Sequence, residues 1–252
     1  MKFDKFDTFI FDLDGTIWCW EKLYKGVKKV LKAIQSKNKQ VIFVSNNTLL
    51  SRIGLVEKLN NFGIEADLNS LINSGYAVSI YLKNFGRKGK VLAFGNGLIE
   101  ELKYNKIKLV KKPRVDFLVV GHDLEFNMKK LSIAYEALNF GAKFLGTARG
   151  KIFVTEKTEL PGTGLIIELI ENMSGKKAEI LGKPSDFICN LIKQHVKFEI
   201  SKTVWVGDEV SDVISGKKIG CYTCLVKTGV YKGGKLKVEP DFIINSVGDI
   251  KI

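Results

Sequence analysis

The chain has 252 residues, of which 45% are hydrophobic and 27% charged, which suits one large globular domain or two of ordinary size with a substantial core. It has no apolar signal region, no run of the ~18 apolar residues that span a membrane and only four cysteines, so we expect a cytoplasmic protein with neither a membrane partner nor a disulfide framework. A net charge of +13 would be concentrated on one face in a nucleic-acid-binding protein, but here it is spread over doublets that we expect on a solvated surface: Lys28-Lys29, Lys111-Lys112, Lys129-Lys130, Lys176-Lys177 and Lys217-Lys218.

The first predicted strand ends in two carboxylates. Residues 9–11 form an apolar run that is typical of a parallel strand buried on both faces, and Asp12, Asp14 and Gly15 follow it. In an extended chain the two aspartates point the same way, about 6.6 Å apart. At an effective dielectric constant of about 20, their charges repel by about 2.5 kcal/mol, so we expect a cation beside them.

Helices and strands then alternate, which is typical of a doubly wound parallel sheet. The predicted elements of this first unit are a helix at 26–34, a strand at 41–44, a helix at 49–62 and a helix near 77–83. The strand at 41–44 ends at Ser45 and Asn46.

The middle of the chain is predicted to form a second α/β unit, and we place a domain junction at the basic, glycine-containing segment 85–89. Its predicted strands are 91–94, 117–120 and 143–146, and its predicted helices lie near 97–103, 129–138 and 164–172.

From residue 180 the pattern of the first unit resumes. Lys183 precedes a predicted helix, and a buried strand at 204–206 leads to Asp208 and Asp212. Two further strands are predicted at 221–226 and 242–244. Cys221 and Cys224 face opposite sides of a strand, so we expect buried, reduced thiols rather than a metal or redox pair.

Three predicted strands therefore end in polar clusters, which parallel strands would bring to one edge of the sheet: Asp12 with Asp14, Ser45 with Asn46, and Asp208 with Asp212. Carboxylates bind Mg²⁺, while a hydroxyl group and a lysine bind phosphate oxygens. A carboxylate can also attack a phosphoryl group when cations screen the repulsion between them. Each residue also has an ordinary structural explanation: Ser45 as a helix cap, Lys183 as a surface lysine and Asp208 as a turn residue.

The order of these motifs resembles that of haloacid dehalogenase (HAD) superfamily phosphatases of the p-nitrophenylphosphatase/NagD-like branch, over nearly the whole chain. The matching segments are 12–16 (DLDGT), 44–47 (VSNN), 182–184 (GKP), 206–208 (VGD) with Asp212, and, in the inserted unit, 119–123, 141–147 and 161–164. The resemblance implies an α/β fold with a Rossmann-like, doubly wound parallel-sheet core at 1–80 and 179–252. An α/β cap domain would be inserted at 81–178.

The resemblance also implies catalytic roles. Asp12 would be the nucleophile, and Asp14 would protonate the leaving oxygen and then activate water. Ser45 and Asn46 would bind phosphate, and Lys183 would neutralise both nucleophile and phosphate. The resemblance further implies a Mg²⁺ ion bound by Asp12, the backbone carbonyl of Asp14 and Asp208. Asp212 would support these ligands without binding the metal itself.

Two departures from the branch leave roles open. The last acidic residue often comes one position later, and position 213 is valine here, so the role of Asp212 is open. Residues 148–150 are Ala-Arg-Gly, where relatives usually have Asn-Pro-Asp. We hypothesise that Arg149 faces the pocket and binds a second anionic group of the substrate; an exposed loop arginine is the alternative.

We therefore predict a phosphatase that hydrolyses a small phosphomonoester with Mg²⁺ through an aspartyl-phosphate intermediate. The alternatives are a phosphotransferase or phosphomutase using the same site, and a non-catalytic basic binding protein. The expected partner is a small phosphorylated metabolite, for which sugar phosphates, phosphoglycolate, glycerol phosphate, pyridoxal phosphate and nucleotides remain open. Relatives often form homodimers through the cap, so a homodimer is a further expectation.

Overall fold

The computed structural model describes residues 2–85 and 89–252, so residues 86–88 of the predicted domain junction lie outside the described residues. In chain order the strands are β1 (Thr8–Phe11), β2 (Trp18–Cys19), β3 (Lys22–Leu23), β4 (Gln40–Ser45), β5 (Leu71–Asn73), β6 (Val91–Phe94), β7 (Phe117–Val120), β8 (Lys143–Gly146), β9 (Ile152–Val154), β10 (Glu159–Pro161), β11 (Glu179–Ile180), β12 (Thr203–Gly207), β13 (Tyr222–Val226) and β14 (Phe242–Ile244). The helices are α1 (Val27–Ser36), α2 (Arg52–Asn61), α3 (Ser74–Asn84), α4 (Asn96–Tyr104), α5 (Met128–Asn139), α6 (Thr163–Ser174), α7 (Asp186–His195) and α8 (Val210–Ile219).

The larger sheet has six parallel strands in the order β14-β13-β12-β1-β4-β5. Strand β1 lies between β12 and β4, with Phe11 in register with Val206 on one side and Phe43 on the other. This register brings the carboxyl ends of β1, β4 and β12 to the same edge. The three strand ends that carry the predicted site residues are therefore neighbours.

The second sheet has four parallel strands in the order β11-β8-β7-β6. Two antiparallel pairs, β2 with β3 and β9 with β10, complete the described strands. Parallel sheets whose strands alternate with helices confirm the predicted α/β fold. The division into a core at 1–80 and 179–252 and a cap at 81–178 stays a prediction.

The start of α2 differs from the prediction, because the helix begins at Arg52 instead of residue 49. The side chain of Asn47 accepts hydrogen bonds from the backbone N–H groups of Leu49 and Leu50, which holds these residues in a turn. Ser51 then caps the helix by accepting from the N–H of Gly54.

The surface and core follow the expectations from composition. Nine of the ten doublet lysines are exposed, and the tenth, Lys130, forms an ion pair with Asp123. Cys221 and Cys224 are free and buried, as predicted. Within residues 2–85 and 89–252, every helix is too short or too polar to cross a membrane.

Candidate active site

One pocket gathers the predicted site residues other than Arg149. Its volume is about 80 Å³, and its floor lies at the carboxyl ends of β1, β4 and β12. The predicted residues that line it are Asp12, Asp14, Ser45, Asn46, Lys183, Asp208 and Asp212.

Lys183 is at the centre of the charged floor. Its Nζ lies 2.5 Å from Oδ1 of Asp12 and 2.7 Å from Oδ1 of Asp212, and all three side chains are at most 8% exposed. Burial disfavours the ammonium, but the two carboxylates outweigh it and raise the pKa of Lys183. Burial raises the pKa of Asp12 to about 7 against the opposing attraction of Lys183. The lysine thus remains a cation in contact with the predicted nucleophile.

Asp208 is enclosed by backbone. A Cβ atom at Gly15 or Gly229 would overlap its carboxylate, so glycine is required at both positions for this close approach. Oδ2 accepts from the N–H of Val230 at 2.6 Å, and Oδ1 accepts from Oγ1 of Thr16 at 3.3 Å. Burial, followed by repulsion from neighbouring carboxylates, raises the pKa of Asp208 well above its usual value.

The acidic cluster fits a divalent cation. One carboxylate oxygen from each of Asp12, Asp208 and Asp212 lies within 4.8 Å of the others, and all three residues are buried. Hard oxygen ligands of this kind suit Mg²⁺. Burial first, and then repulsion among these carboxylates, raises the pKa values of Asp12 and Asp208. A bound cation would offset this repulsion.

Asp14 is held by two donors whose roles no sequence pattern predicted. Nε1 of Trp18 donates to its Oδ1 at 2.9 Å, and Nδ2 of Asn47 donates to its Oδ2 at 2.9 Å. Both carboxylate oxygens therefore have a fixed partner. Trp18 lies four residues after Asp14, a spacing that gave no signal because it depends on the turn after β1.

The residues after β4 connect the floor to its surroundings. The hydroxyl oxygen of Ser45 accepts from the N–H of Asn47 at 3.0 Å, which leaves its own proton for a ligand. The side chain of Asn46 forms two hydrogen bonds with the backbone of Lys183, at 2.8 Å to its N–H and 3.1 Å to its carbonyl. Asn46 therefore positions the lysine.

Asp212 is held by donors from three residues. Its Oδ1 accepts from Lys183 and from Nε1 of Trp205, at 3.1 Å, and its Oδ2 accepts from the N–H of Glu209 at 3.2 Å. Both oxygens are thus already engaged by protein donors. Asp212 thus orients Lys183, and its carboxylate also belongs to the acidic cluster.

The structure places Arg149 in an ion pair with Glu171 and not among the residues that line the pocket. Its Nη2 donates to Oε1 of the buried Glu171 at 2.6 Å and to the carbonyl of Ala178 at 3.2 Å. Hydrogen bonding from Arg149 lowers the pKa of Glu171 to about 2. The guanidinium group is therefore bound within the second unit, where it compensates the charge of a buried carboxylate.

The opposite wall of the pocket comes from the second unit. His122, Ile152 and Phe153 lie there, with Phe153 in edge contact with His122 at 5.0 Å and with Trp20 at 5.7 Å between ring centroids. Glu209, from the segment after β12, also lines the pocket. No sequence pattern marked these residues, since the pocket that they line is formed by residues from both sheets.

Comparisons with known proteins identify the family. A family model described as haloacid dehalogenase-like hydrolase matches residues 9–107, and a second one, described as HAD-hydrolase-like, matches residues 180–250. Phosphoglycolate phosphatase 2 of Arabidopsis thaliana is 33% identical over 280 residues, covering 98% of this chain and 93% of that protein.

Solved structures agree with this result. The p-nitrophenyl phosphatase from Archaeoglobus fulgidus is 30% identical, with a TM-score of 0.86 and 97% of each chain covered. A structure described as a nagD protein is 27% identical, with a TM-score of 0.86, covering 97% of this chain and 96% of that chain. The chain therefore belongs to the haloacid dehalogenase-like hydrolases and is a phosphatase of the NagD-like branch.

Proposed function

We propose that the protein hydrolyses a small phosphomonoester in a Mg²⁺-dependent reaction that passes through a phosphorylated Asp12. The observation that carries this proposal is the contact between Asp12 and the buried Lys183, beside a cluster of carboxylates. A carboxylate attacks a phosphate dianion only where positive charge offsets their repulsion. The names of the relatives, which refer to phosphoglycolate and p-nitrophenyl phosphatases, support a small substrate.

The side chains divide the chemistry between two aspartates. The carboxylate of Asp12 bonds to phosphorus while the bond to the leaving oxygen breaks, and Asp14 gives its proton to that oxygen. Asp14 then takes a proton from the water that attacks the phosphorylated Asp12, which releases inorganic phosphate and restores the carboxylate. Trp18 and Asn47 hold Asp14 in place for both steps.

Other residues bind the phosphoryl group and the metal. The free proton of Ser45 donates to a phosphate oxygen, Asn46 shapes the same part of the pocket, and Lys183 balances negative charge. Asp12, Asp208 and the backbone carbonyl of Asp14 would hold Mg²⁺. When bound, Mg²⁺ supplies the additional positive charge that the nucleophile and phosphate require.

The test measures release of inorganic phosphate from p-nitrophenyl phosphate with Mg²⁺ and with EDTA. Asp12→Asn, which keeps size and removes the nucleophile, is expected to lower kcat by at least about 10³-fold. Asp241→Asn is the matched control, because Asp241 pairs with Lys217 and Thr223 away from the pocket and its loss should leave the rate unchanged.

An acid-quench experiment tests the intermediate. A phosphorylated peptide containing Asp12 supports the covalent route. Formation of a phosphorylated alcohol in place of inorganic phosphate would instead indicate phosphotransfer. Equal activity of wild type and Asp12→Asn would contradict the proposal.

Three expectations about surroundings stay proposals: a small phosphorylated metabolite as partner without nucleic acid, a cytoplasmic location, and a homodimer formed through the cap. Salt-dependent binding to double-stranded DNA would argue against the first. The spread of the lysine doublets over exposed positions supports it.

A further inference from the structure

The pocket has a second half that the proposed phosphoryl chemistry does not use. His122, Ile152 and Phe153 form its wall, and Glu209 lies at its edge. With the phosphoryl group bound at the carboxylate-rich floor, this half faces the alcohol portion of the substrate. Its side chains therefore indicate which alcohol the pocket accepts.

This half offers no cation to a substrate. Among residues 2–85 and 89–252, Lys183 is the only lysine or arginine that lines the pocket, and its ammonium is already bound to two carboxylates. Arg149 is held in an ion pair elsewhere. The edge of this half instead carries the carboxyl group of Glu209, whose Oε1 would lie 4.0 Å from a Cβ atom at Gly150. A carboxylate on the alcohol portion would thus be desolvated without a cation to compensate its charge.

His122 offers a hydrogen-bond acceptor. Its Nε2 lies 2.9 Å from the backbone carbonyl of Pro161, and because a carbonyl only accepts, Nε2 carries the proton. In the described part of the chain this is the one hydrogen bond of the ring, which leaves Nδ1 for a ligand. Burial lowers the pKa of His122, so Nδ1 carries a lone pair near neutral pH. A lone pair accepts from a hydroxyl group and repels a carboxylate.

The ring of His122 is held rigidly. It is 4% exposed, its backbone N–H donates to Oγ1 of Thr48 at 2.8 Å, and its ring contacts Phe153 edge to face. Phe153 in turn packs against Trp20. These aromatic rings provide an apolar surface for the carbon atoms of a short alcohol. Rigid placement makes the acceptor at Nδ1 selective.

On the basis of the proposed phosphatase activity, we propose that the substrate's alcohol portion is uncharged and carries a hydroxyl group that donates to Nδ1 of His122, with its carbon atoms against Phe153. The pocket then selects polyol-like or sugar-like phosphomonoesters and disfavours those with a carboxylate. In this proposal His122 is a specificity-determining residue.

Three two-carbon phosphomonoesters test the proposal with wild-type protein and Mg²⁺: 2-hydroxyethyl phosphate, ethyl phosphate and phosphoglycolate. They differ only at the second carbon, which is a hydroxymethyl, a methyl or a carboxylate group, respectively. We expect kcat/KM for 2-hydroxyethyl phosphate to exceed that for ethyl phosphate by about 5–10-fold, the value of one hydrogen bond. We expect phosphoglycolate to be the poorest of the three. Equal values for the first two, or a preference for phosphoglycolate, would overturn the proposal.

Two variants assign the selectivity to its residues. His122→Phe keeps an aromatic ring and removes Nδ1, so the hydroxyethyl-to-ethyl ratio should fall to about one. His195→Phe is the matched control, since that ring packs on Tyr76 outside the pocket and the ratio should not change. Glu209→Gln should raise kcat/KM for phosphoglycolate relative to 2-hydroxyethyl phosphate. A ratio unchanged in His122→Phe contradicts the role of His122.

The outcomes separate this inference from the proposed function. Hydrolysis of p-nitrophenyl phosphate that Asp12→Asn abolishes, together with no preference for the hydroxylated ester, overturns the inference alone. Absence of phosphate release from every ester, p-nitrophenyl phosphate included, overturns both.

Discussion

Replacing Lys183 by methionine tests the electrostatic basis of the site. Methionine keeps most of the length and volume of the side chain and removes its charge. In the wild type the ammonium contacts Asp12 at 2.5 Å and Asp212 at 2.7 Å, and all three groups are nearly inaccessible to solvent. The substitution therefore leaves two buried carboxylates close together without their shared cation.

The expected loss of stability is large. Removing one partner from a buried ion pair costs about 3–5 kcal/mol, because the remaining charge is desolvated without compensation. A natural domain unfolds with a free energy of about 5–15 kcal/mol, so the variant should lose a substantial share of its stability. Phosphatase activity should also fall, by about 10²–10³-fold, as expected when one group that stabilises transition-state charge is removed.

The loss should depend on pH with a defined sign. Lys183 opposes the effect of burial on Asp12, so its removal raises the pKa of Asp12 further above its usual value of 3.8. A carboxyl group with a raised pKa in the folded state binds more protons when folded than when unfolded. Stability therefore falls as pH rises above the unfolded value, so the deficit of the variant should be larger at pH 8 than at pH 5.

Urea unfolding in EDTA at both pH values measures this difference. Lys218→Met is the matched control, because Lys218 forms a solvent-exposed pair with Asp186, and its loss should cost less than about 1 kcal/mol. An unfolding midpoint of Lys183→Met equal to that of the wild type, or a deficit that is smaller at pH 8, would refute the electrostatic reasoning.

Three further predictions concern other parts of the site. Trp18→Phe removes one donor to Asp14, so steady-state kinetics should show kcat about 10-fold lower with little change in KM; an unchanged kcat would show that the donor is dispensable. Gly229→Ala places a Cβ atom against the carboxylate of Asp208, so calorimetric titration should show Mg²⁺ affinity at least about 10-fold weaker, and unaltered affinity would contradict the ligand assignment. Arg149→Ala should lower unfolding stability by about 1–2 kcal/mol and leave the preference between carboxylated and uncharged esters unchanged; a selective loss for carboxylated esters would restore the original hypothesis.

Hydrophobic pattern was sufficient to predict the strands that position the site. The buried runs in β1, β4 and β12 are clear in the sequence, and polar residues follow each of them directly. Since parallel strands end at one edge, the proximity of Asp12, Ser45 and Asp208 could be expected without a structure. The strands that were not predicted have only two or three residues, too few for a period to be recognised: β2, β3, β5, β9, β10 and β11. Strand β14 is as short, but its three residues are all apolar.

The partners of individual side chains could not be predicted in the same way. Arg149 follows a strand end in the sequence, which suggested a position at the pocket, but its direction depends on a buried carboxylate 22 residues later. His122 follows a strand of one sheet and Glu209 follows a strand of the other, so they line one pocket only because the two sheets lie side by side. Pattern thus identified strand ends, whereas the direction of each loop side chain required the tertiary structure.

The turn after β4 shows how a strand end that the sequence predicts is connected to contacts that only the tertiary structure reveals. Its consecutive residues bind three different parts of the site: Asn46 holds the backbone of Lys183, Asn47 holds the carboxylate of Asp14, and Thr48 accepts from the backbone of His122. Consecutive side chains of a helix could not reach these three targets together, since each step of a helix turns a side chain by only about 100° around one axis. These three residues precede α2 and lie in a turn, from which their side chains reach the phosphoryl half and the alcohol half of one pocket.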